Sequence, residues 1–138
     1  MSLLRDTAMH DLGVGSTRDM SSVISGILLP SLRNAVYTPA ERINIWRGKI
    51  SAGKTSVGMS HLSFNAFGEI PEIDIPIYFF AGIYDYTCCY SLQKDYFEQI
   101  QAPLKAFYTF HNSAHSPLFE EAEKAMKILS QDVLMQQA

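Results

Sequence analysis

The sequence predicts an α/β fold, because two strand-like runs flank a stretch with helical periodicity. Residues 73–81 form an almost unbroken run of Ile, Tyr and Phe, which is typical of a strand buried on both faces of a parallel sheet. Residues 105–110 form a second strand-like run. Between the runs, apolar residues recur at helical spacing, namely Leu92, Tyr96, Phe97 and Ile100. This order of strand, helix and strand predicts two parallel neighbouring strands.

The first 70 residues differ from the rest and are expected to form short helices and loops. Ser16 and Thr17 can cap a helix that Pro30 ends, with the apolar stripe Met20, Val23, Ile24, Ile27 and Leu28. The stretch Thr38-Pro39-Ala40-Glu41 is a stronger helix start, since it combines a capping box with a proline at the first helical position. The helix that follows should carry Ile43, Trp46 and Ile50.

The remaining elements complete one structural unit, with a helical part at 1–70 and a sheet part at 71–138. A short helix is expected around residues 61–67, and Pro76 should lie near the start of the first strand or at an edge. After the second strand, Ser116 can cap a last helix with Pro117 in its first turn. The apolar stripe of this helix should be Ala122, Met126, Leu129 and Val133, and it should cover the sheet.

Composition excludes several classes of function. The 138 residues carry a net charge of −3 with no long run of either sign, so we expect no nucleic-acid partner and no membrane surface. The longest apolar run, residues 75–81, falls far short of the roughly 20 residues that span a bilayer. Acidic and basic residues interrupt the N-terminus, which argues against a signal peptide and favours a cytoplasmic protein.

The two cysteines, Cys88 and Cys89, are neighbours in sequence. A vicinal pair cannot join distant segments or supply a four-ligand zinc site, so we expect free thiols in a reducing compartment. The spacing of His, Cys, Asp and Glu shows no ligand cluster. The sequence therefore predicts no metal and no organic cofactor.

Two ionisable residues follow the predicted strands. Asp85 comes just after the first strand and His115 just after the second, and ligands of open parallel sheets bind outside the carboxyl ends of the strands. We therefore expect the two side chains to lie close together. An aspartate that accepts from one imidazole nitrogen leaves the other nitrogen to take a proton from a nucleophile.

The stretches around these residues resemble a known family. Residues 75–85 (IPIYFFAGIYD), residues 112–117 (NSAHSP) and the following Glu120-Glu121 are similar to the last third of α/β-hydrolases, especially the proline-iminopeptidase-like branch. The resemblance covers about residues 73–133 and implies that Asp85 and His115 are the acid and the histidine of a catalytic triad. It also implies that residues 1–70 form a helical cap, and that the chain is a partial α/β-hydrolase fold. One departure is Cys89, where relatives often have proline.

The family's nucleophile has no counterpart in this sequence. A G-x-S-x-G elbow on a strand-to-helix turn carries the serine in that family, and the sequence contains no such motif. Ser16 and Ser60 lie in partial look-alikes but follow no predicted strand. Cys88 is a weak candidate for a substitute nucleophile, because a loop thiol beside tyrosines is usually inert. We expect the chain to be inactive alone.

Three hypotheses about function remain open. The chain can be the C-terminal fragment of a serine hydrolase that acts on an ester or amide bond of a small substrate. It can instead be a non-catalytic domain that binds itself or a partner, since an unpaired edge beside residues 75–81 invites pairing with another chain and predicts a homo-oligomer. A split enzyme, with the serine on a separate polypeptide, is the third hypothesis.

Overall fold

A computed structural model describes residues 3–55 and 63–135. Helices come first: α1 (Leu3–Asp11), a π-helical turn (Ile24–Leu28) that runs into α2 (Leu29–Arg33), α3 (Pro39–Ala52) and α4 (Ala66–Glu69). The sheet part follows as β1 (Ile77–Gly82), α5 (Tyr90–Gln99), β2 (Lys105–Phe110), α6 (Pro117–Glu120) and α7 (Ala122–Ile128), which runs into a π-helical turn (Leu129–Val133). Among the described residues, no helix is long and apolar enough to cross a membrane.

The two strands pair in parallel, as predicted. The register joins Ile77 with Lys105 at one end and Gly82 with Phe110 at the other. Mixed helices and strands around a two-stranded parallel sheet confirm the prediction of a partial α/β fold. Pro76 directly precedes β1, where its missing N–H removes no hydrogen bond from the ladder. The strand is shorter than predicted, because the backbone bond that residues 73–76 form with the segment before β2 is the one from the N–H of Ile73 to the carbonyl of Gln101.

Alternating aromatic side chains attach a helix to each face of this sheet. On one face, Phe79 stacks on Phe107 at 6.0 Å, and both rings contact Phe97 of α5. On the other face, Phe80 packs with Phe110, which is fully buried against α7. The Nζ of Lys105 donates to three carbonyl oxygens at the end of α5 and so satisfies acceptors that a helix C-terminus leaves free.

The early helices follow the sequence signals only in part. The capping box at Thr38 and Glu41 is present, and α3 begins at Pro39 as predicted. Ser16 and Thr17 start no helix and lie in bends. Pro30 does not end a helix but lies in the first turn of α2. That position tolerates proline because the π-helical turn before it already breaks the regular bonding, with the N–H of Leu29 donating to Ile24.

Two further predictions need correction or fall outside the described residues. The short helix expected at 61–67 begins at Ala66 where the chain is described, and residues 56–62 lie outside the described ranges. The last helix is broken at Glu121, and Ser116 makes no side-chain cap. Its buried residues are Ala125 and Ile128, which pack with Phe110 of β2, whereas Met126 of the predicted stripe is exposed.

Candidate functional site

The loops that follow β1 and β2 meet at the carboxyl edge of the sheet. Beyond the ladder, the N–H of Ile83 donates to Phe110 and the N–H of Tyr84 donates to Ser113. The N–H of Asp85 then donates to the carbonyl of Gly82 and closes a tight turn. These backbone hydrogen bonds extend the contact between the two strands into the loops that follow them. They fix the position of Asp85 relative to the loop of His115.

The carboxylate of Asp85 is buried, at 5% exposure, and held by several donors. Its Oδ1 accepts from the backbone N–H groups of Thr87 and Cys88 at 2.9 and 2.8 Å. Its Oδ2 accepts from Nε2 of Gln93 at 3.4 Å, and Gln93 also donates to the carbonyl of Cys88. A buried carboxylate needs such donors to offset the loss of its hydration, and here they leave Oδ2 directed toward the second loop.

That second loop carries His115 and is held by two glutamates of the last helices. The carboxylate of Glu121 accepts from the N–H of Asn112 at 2.9 Å and from the hydroxyl of Ser113 at 2.7 Å. Oε2 of Glu120 accepts from the N–H of Ala114 at 2.8 Å. Ser113 and Ala114 are fully buried, so the residues before His115 are fixed on both sides.

His115 reaches from this loop to Asp85. Its Nδ1 lies 3.0 Å from Oδ2 of Asp85, and its side chain is 41% exposed. With the proton on Nδ1, the imidazole donates to the carboxylate and Nε2 becomes the free acceptor. No other described residue forms a hydrogen bond with His115 in the structure. The contact with Asp85 can therefore fix the tautomer of His115 with the proton on Nδ1, which leaves Nε2 free to accept a proton.

Folding shifts the pKa of Glu121, one of the two glutamates that hold the loop of His115. Burial acts to raise the pKa of Glu121, but the bonds from Ser113 and Asn112, with the nearby Lys124 and His111, outweigh it and lower the pKa below its usual value of 4.5. A carboxyl group whose pKa is depressed by folding stabilises the folded state above its unfolded pKa. This stabilisation is lost as the pH falls through the folded pKa.

We expect Glu121→Gln to destabilise the chain in a pH-dependent way. At pH 7 the variant should lose about 1 kcal/mol, because a neutral amide accepts more weakly than a carboxylate and solvent screens part of the effect. At pH 3 the difference between variant and wild type should shrink, since Glu121 is then partly protonated in both folded and unfolded chains. Urea unfolding at both pH values measures this, and a constant difference would show that the charge of Glu121 is unimportant.

Cys88 lies beside the Asp85–His115 pair and forms with it a group of possible metal ligands, which the sequence spacing did not indicate. One atom from each of Asp85, Cys88 and His115 lies within 4.8 Å of the others. Partial burial, and then the negative charge of Asp85, raise the pKa of the Cys88 thiol. Its neighbour Cys89 behaves oppositely, because the Ser91 hydroxyl and backbone N–H groups at the start of α5 lower its pKa. Both thiols are free.

The other histidines of the sequence and the two look-alike serines have no part in this pair where the structure describes them. His10 is buried in α1, where its Nδ1 lies 2.7 Å from the carbonyl of Asp6, and His111 is exposed. His61 and Ser60 fall outside the described residues. Ser16 lies in a bend, where its N–H contacts the sulfur of Met20. Of these residues, the three that the structure describes, His10, His111 and Ser16, form no hydrogen bond with Asp85 or His115.

The segment after α1 reaches the side of the site. The guanidinium of Arg18 lies 4.1 Å from the ring centre of Tyr84, and the N–H of Arg18 donates to Oε1 of Glu120 at 2.7 Å. Gly13, which has φ of 78°, lies against the ring of Tyr86. Tyr84 and Tyr86 are both exposed, on either side of Asp85 in the sequence.

Comparison with known proteins gives one partial relative. No protein-family model and no solved structure matches the chain. Over 67 residues, which are 49% of the chain, the sequence is 37% identical to the probable aminopeptidase YbaC of Bacillus subtilis (strain 168). The aligned part is 21% of that protein, so the chain spans about a fifth of its relative's length. Half of this chain is thus related to part of a protein that is named as a hydrolase.

Proposed function

We propose that the chain supplies the acid and the base of a serine hydrolase, with Asp85 orienting His115 and His115 transferring the proton. The observation that carries the proposal is the 3.0 Å contact between Nδ1 of His115 and a buried, fully anchored carboxylate. An anchored aspartate selects the tautomer with Nδ1 protonated and stabilises the imidazolium that forms during the reaction. The other nitrogen then serves as a general base and later as a general acid.

The nucleophile in this proposal comes from polypeptide outside these 138 residues. No described serine is bonded to His115, and activation of a serine requires such a bond in the reacting complex. Cys88 is a poor substitute, because its raised pKa keeps the thiol protonated at neutral pH. The chain is then either part of a longer hydrolase or one half of a split enzyme.

The proposed substrate is a small molecule with an amide or ester bond. The partial relative is named a probable aminopeptidase, which favours an amide at the N-terminus of a short peptide. Membership of the proline-iminopeptidase-like branch stays a prediction from the resemblance of residues 75–85 and 112–117. The role of residues 1–70 as a cap over the site is proposed on the contacts of Arg18 with Tyr84 and Glu120.

Self-association without catalysis is the second candidate, favoured by the edges of the sheet. Among the described residues β1 and β2 pair only with each other, so each strand has an edge that no other described strand covers. Such edges accept further strands, which here come either from the rest of a longer chain or from another copy. The homo-oligomer and the cytoplasmic location both stay predictions.

A fluorophosphonate probe, which labels activated serines, tests the proposal. The 138-residue chain alone should remain unlabelled, since it lacks the nucleophile. When the upstream polypeptide is added, in the same chain or as a separate one, a serine on that polypeptide should be labelled, and labelling should fall sharply with His115→Ala. Labelling of Ser16 or Ser60 in the isolated chain, verified with Ser16→Ala and Ser60→Ala, would place the nucleophile within it and overturn this part of the proposal.

A further inference from the structure

The donors around Asp85 form a set that suits a metal ion. A carboxylate oxygen of Asp85, the Sγ of Cys88 and a ring nitrogen of His115 all lie within 4.8 Å of one another. Each atom comes from a different class of ligand, and carboxylate, thiolate and imidazole are the three kinds that zinc accepts in proteins. Hard ions such as Mg²⁺ and Ca²⁺ prefer oxygen ligands alone. The thiol therefore points to a thiophilic divalent ion.

The spacing of the donors is close to that of a tetrahedral site. Zinc binds sulfur at about 2.3 Å and nitrogen or oxygen at about 2.0–2.2 Å, so ligand atoms on one ion lie about 3.3–3.6 Å apart. The donors at this site are at most 4.8 Å apart. Rotation of the exposed side chains of Cys88 and His115 can close this difference, because neither is enclosed by other groups.

Hydrogen bonds already hold the carboxylate of Asp85 and the backbone of Cys88 in place. The N–H of Cys88 donates to Oδ1 of Asp85, and Gln93 bridges Oδ2 of Asp85 and the carbonyl of Cys88. These bonds fix Cys88 beside the carboxylate and leave its side-chain torsion as the main freedom. Partners of this kind around the ligands raise metal affinity by orienting them.

We propose that Asp85, Cys88 and His115 form a binding site for Zn²⁺ or a similar thiophilic divalent ion, with a fourth position open to water. Binding replaces the contact between His115 and Asp85 by bonds from both residues to the ion. The proton on Nδ1 of His115 moves to Nε2 by exchange with solvent, so that the imidazole binds as a neutral ligand, and the thiol of Cys88 releases its proton to solvent. On the proposed hydrolase function, an ion held in this way occupies His115 and inhibits proton transfer. The binding itself does not depend on that function.

Titration of the 138-residue chain with Co²⁺ tests the site directly. A thiolate bound to Co²⁺ produces a charge-transfer band in the near ultraviolet, and Zn²⁺ should remove this band by competition. Cys88→Ser should abolish the band and lower the affinity for Zn²⁺ by more than the about 10- to 100-fold that loss of a supporting group costs, because Cys88 is itself a ligand in the proposed site. His115→Ala should weaken binding of both ions.

Cys89→Ser is the matched control, since Cys89 is the adjacent exposed thiol and has no place in the donor set. It should keep the band and bind Zn²⁺ within about twofold of wild type. Absence of the band in wild type, its persistence in Cys88→Ser, or its loss in Cys89→Ser would each overturn the site. Because no turnover is measured, a failed titration leaves the hydrolase proposal standing, and a failed fluorophosphonate experiment leaves the metal site standing.

Discussion

In the enzyme completed with the nucleophile, replacing His115 with alanine should lower kcat by about 10⁴- to 10⁶-fold, the range that loss of a triad acid or histidine produces. The proposed base is then absent, while binding of the substrate uses other groups, so KM should change far less than kcat. Asp85→Asn should have a similar effect for a different reason. The amide NH₂ can donate to Nδ1 of His115 and hold the wrong tautomer, which leaves Nε2 protonated and unable to accept.

The control for this experiment is His111→Ala. His111 belongs to the same loop, is exposed and forms no bond with Asp85, so its variant should retain activity close to wild type. Steady-state kinetics with a small amide or ester substrate measure all three variants, and circular dichroism checks that each is folded. Equal activity of His115→Ala and His111→Ala would exclude His115 as the base.

The sequence alone was enough to predict that Asp85 and His115 lie at one edge of the sheet, because that result depends only on topology. Two parallel neighbouring strands end at the same edge, and each residue follows its strand by a few positions. The run of apolar residues identified β2 correctly, and the capping box at Thr38 identified the start of α3. The strand-like run and the capping box depend only on residues that are close in sequence, and no contact with a residue distant in sequence overrides them here.

The parts that sequence reasoning missed depend on the geometry of turns. The sequence spacing showed no ligand cluster, but Asp85, Cys88 and His115 form one because the turn after Asp85 wraps around the carboxylate, with the N–H groups of Thr87 and Cys88 directed at it. Glu120 and Glu121 hold the loop of His115 because the helix breaks between α6 and α7. A helical periodicity assumes that no break occurs, so it could not predict these bonds.

Gly82→Ala should be the most damaging single substitution for the fold, with a loss of at least about 3 kcal/mol in the free energy of unfolding. Gly82 ends β1 at the point where the loop of His115 crosses it, and a methyl group there would overlap the backbone carbonyl oxygens of Ser113 and Ala114. Backbone atoms cannot rotate away as a flexible side chain can. The loop would have to move as a unit, although Glu120 and Glu121 hold it from the other side.

Gly48→Ala should change the free energy of unfolding in the opposite direction to Gly82→Ala. Gly48 lies within α3 with no atom within 4 Å of the position that the methyl group would occupy, so alanine should stabilise the helix by about 0.5–1 kcal/mol. Urea unfolding of the two variants and the wild type measures both effects. If Gly82→Ala proved as stable as wild type, the close contact between β1 and the histidine loop would be wrong. The position assigned to His115, which depends on that contact, would then be wrong as well.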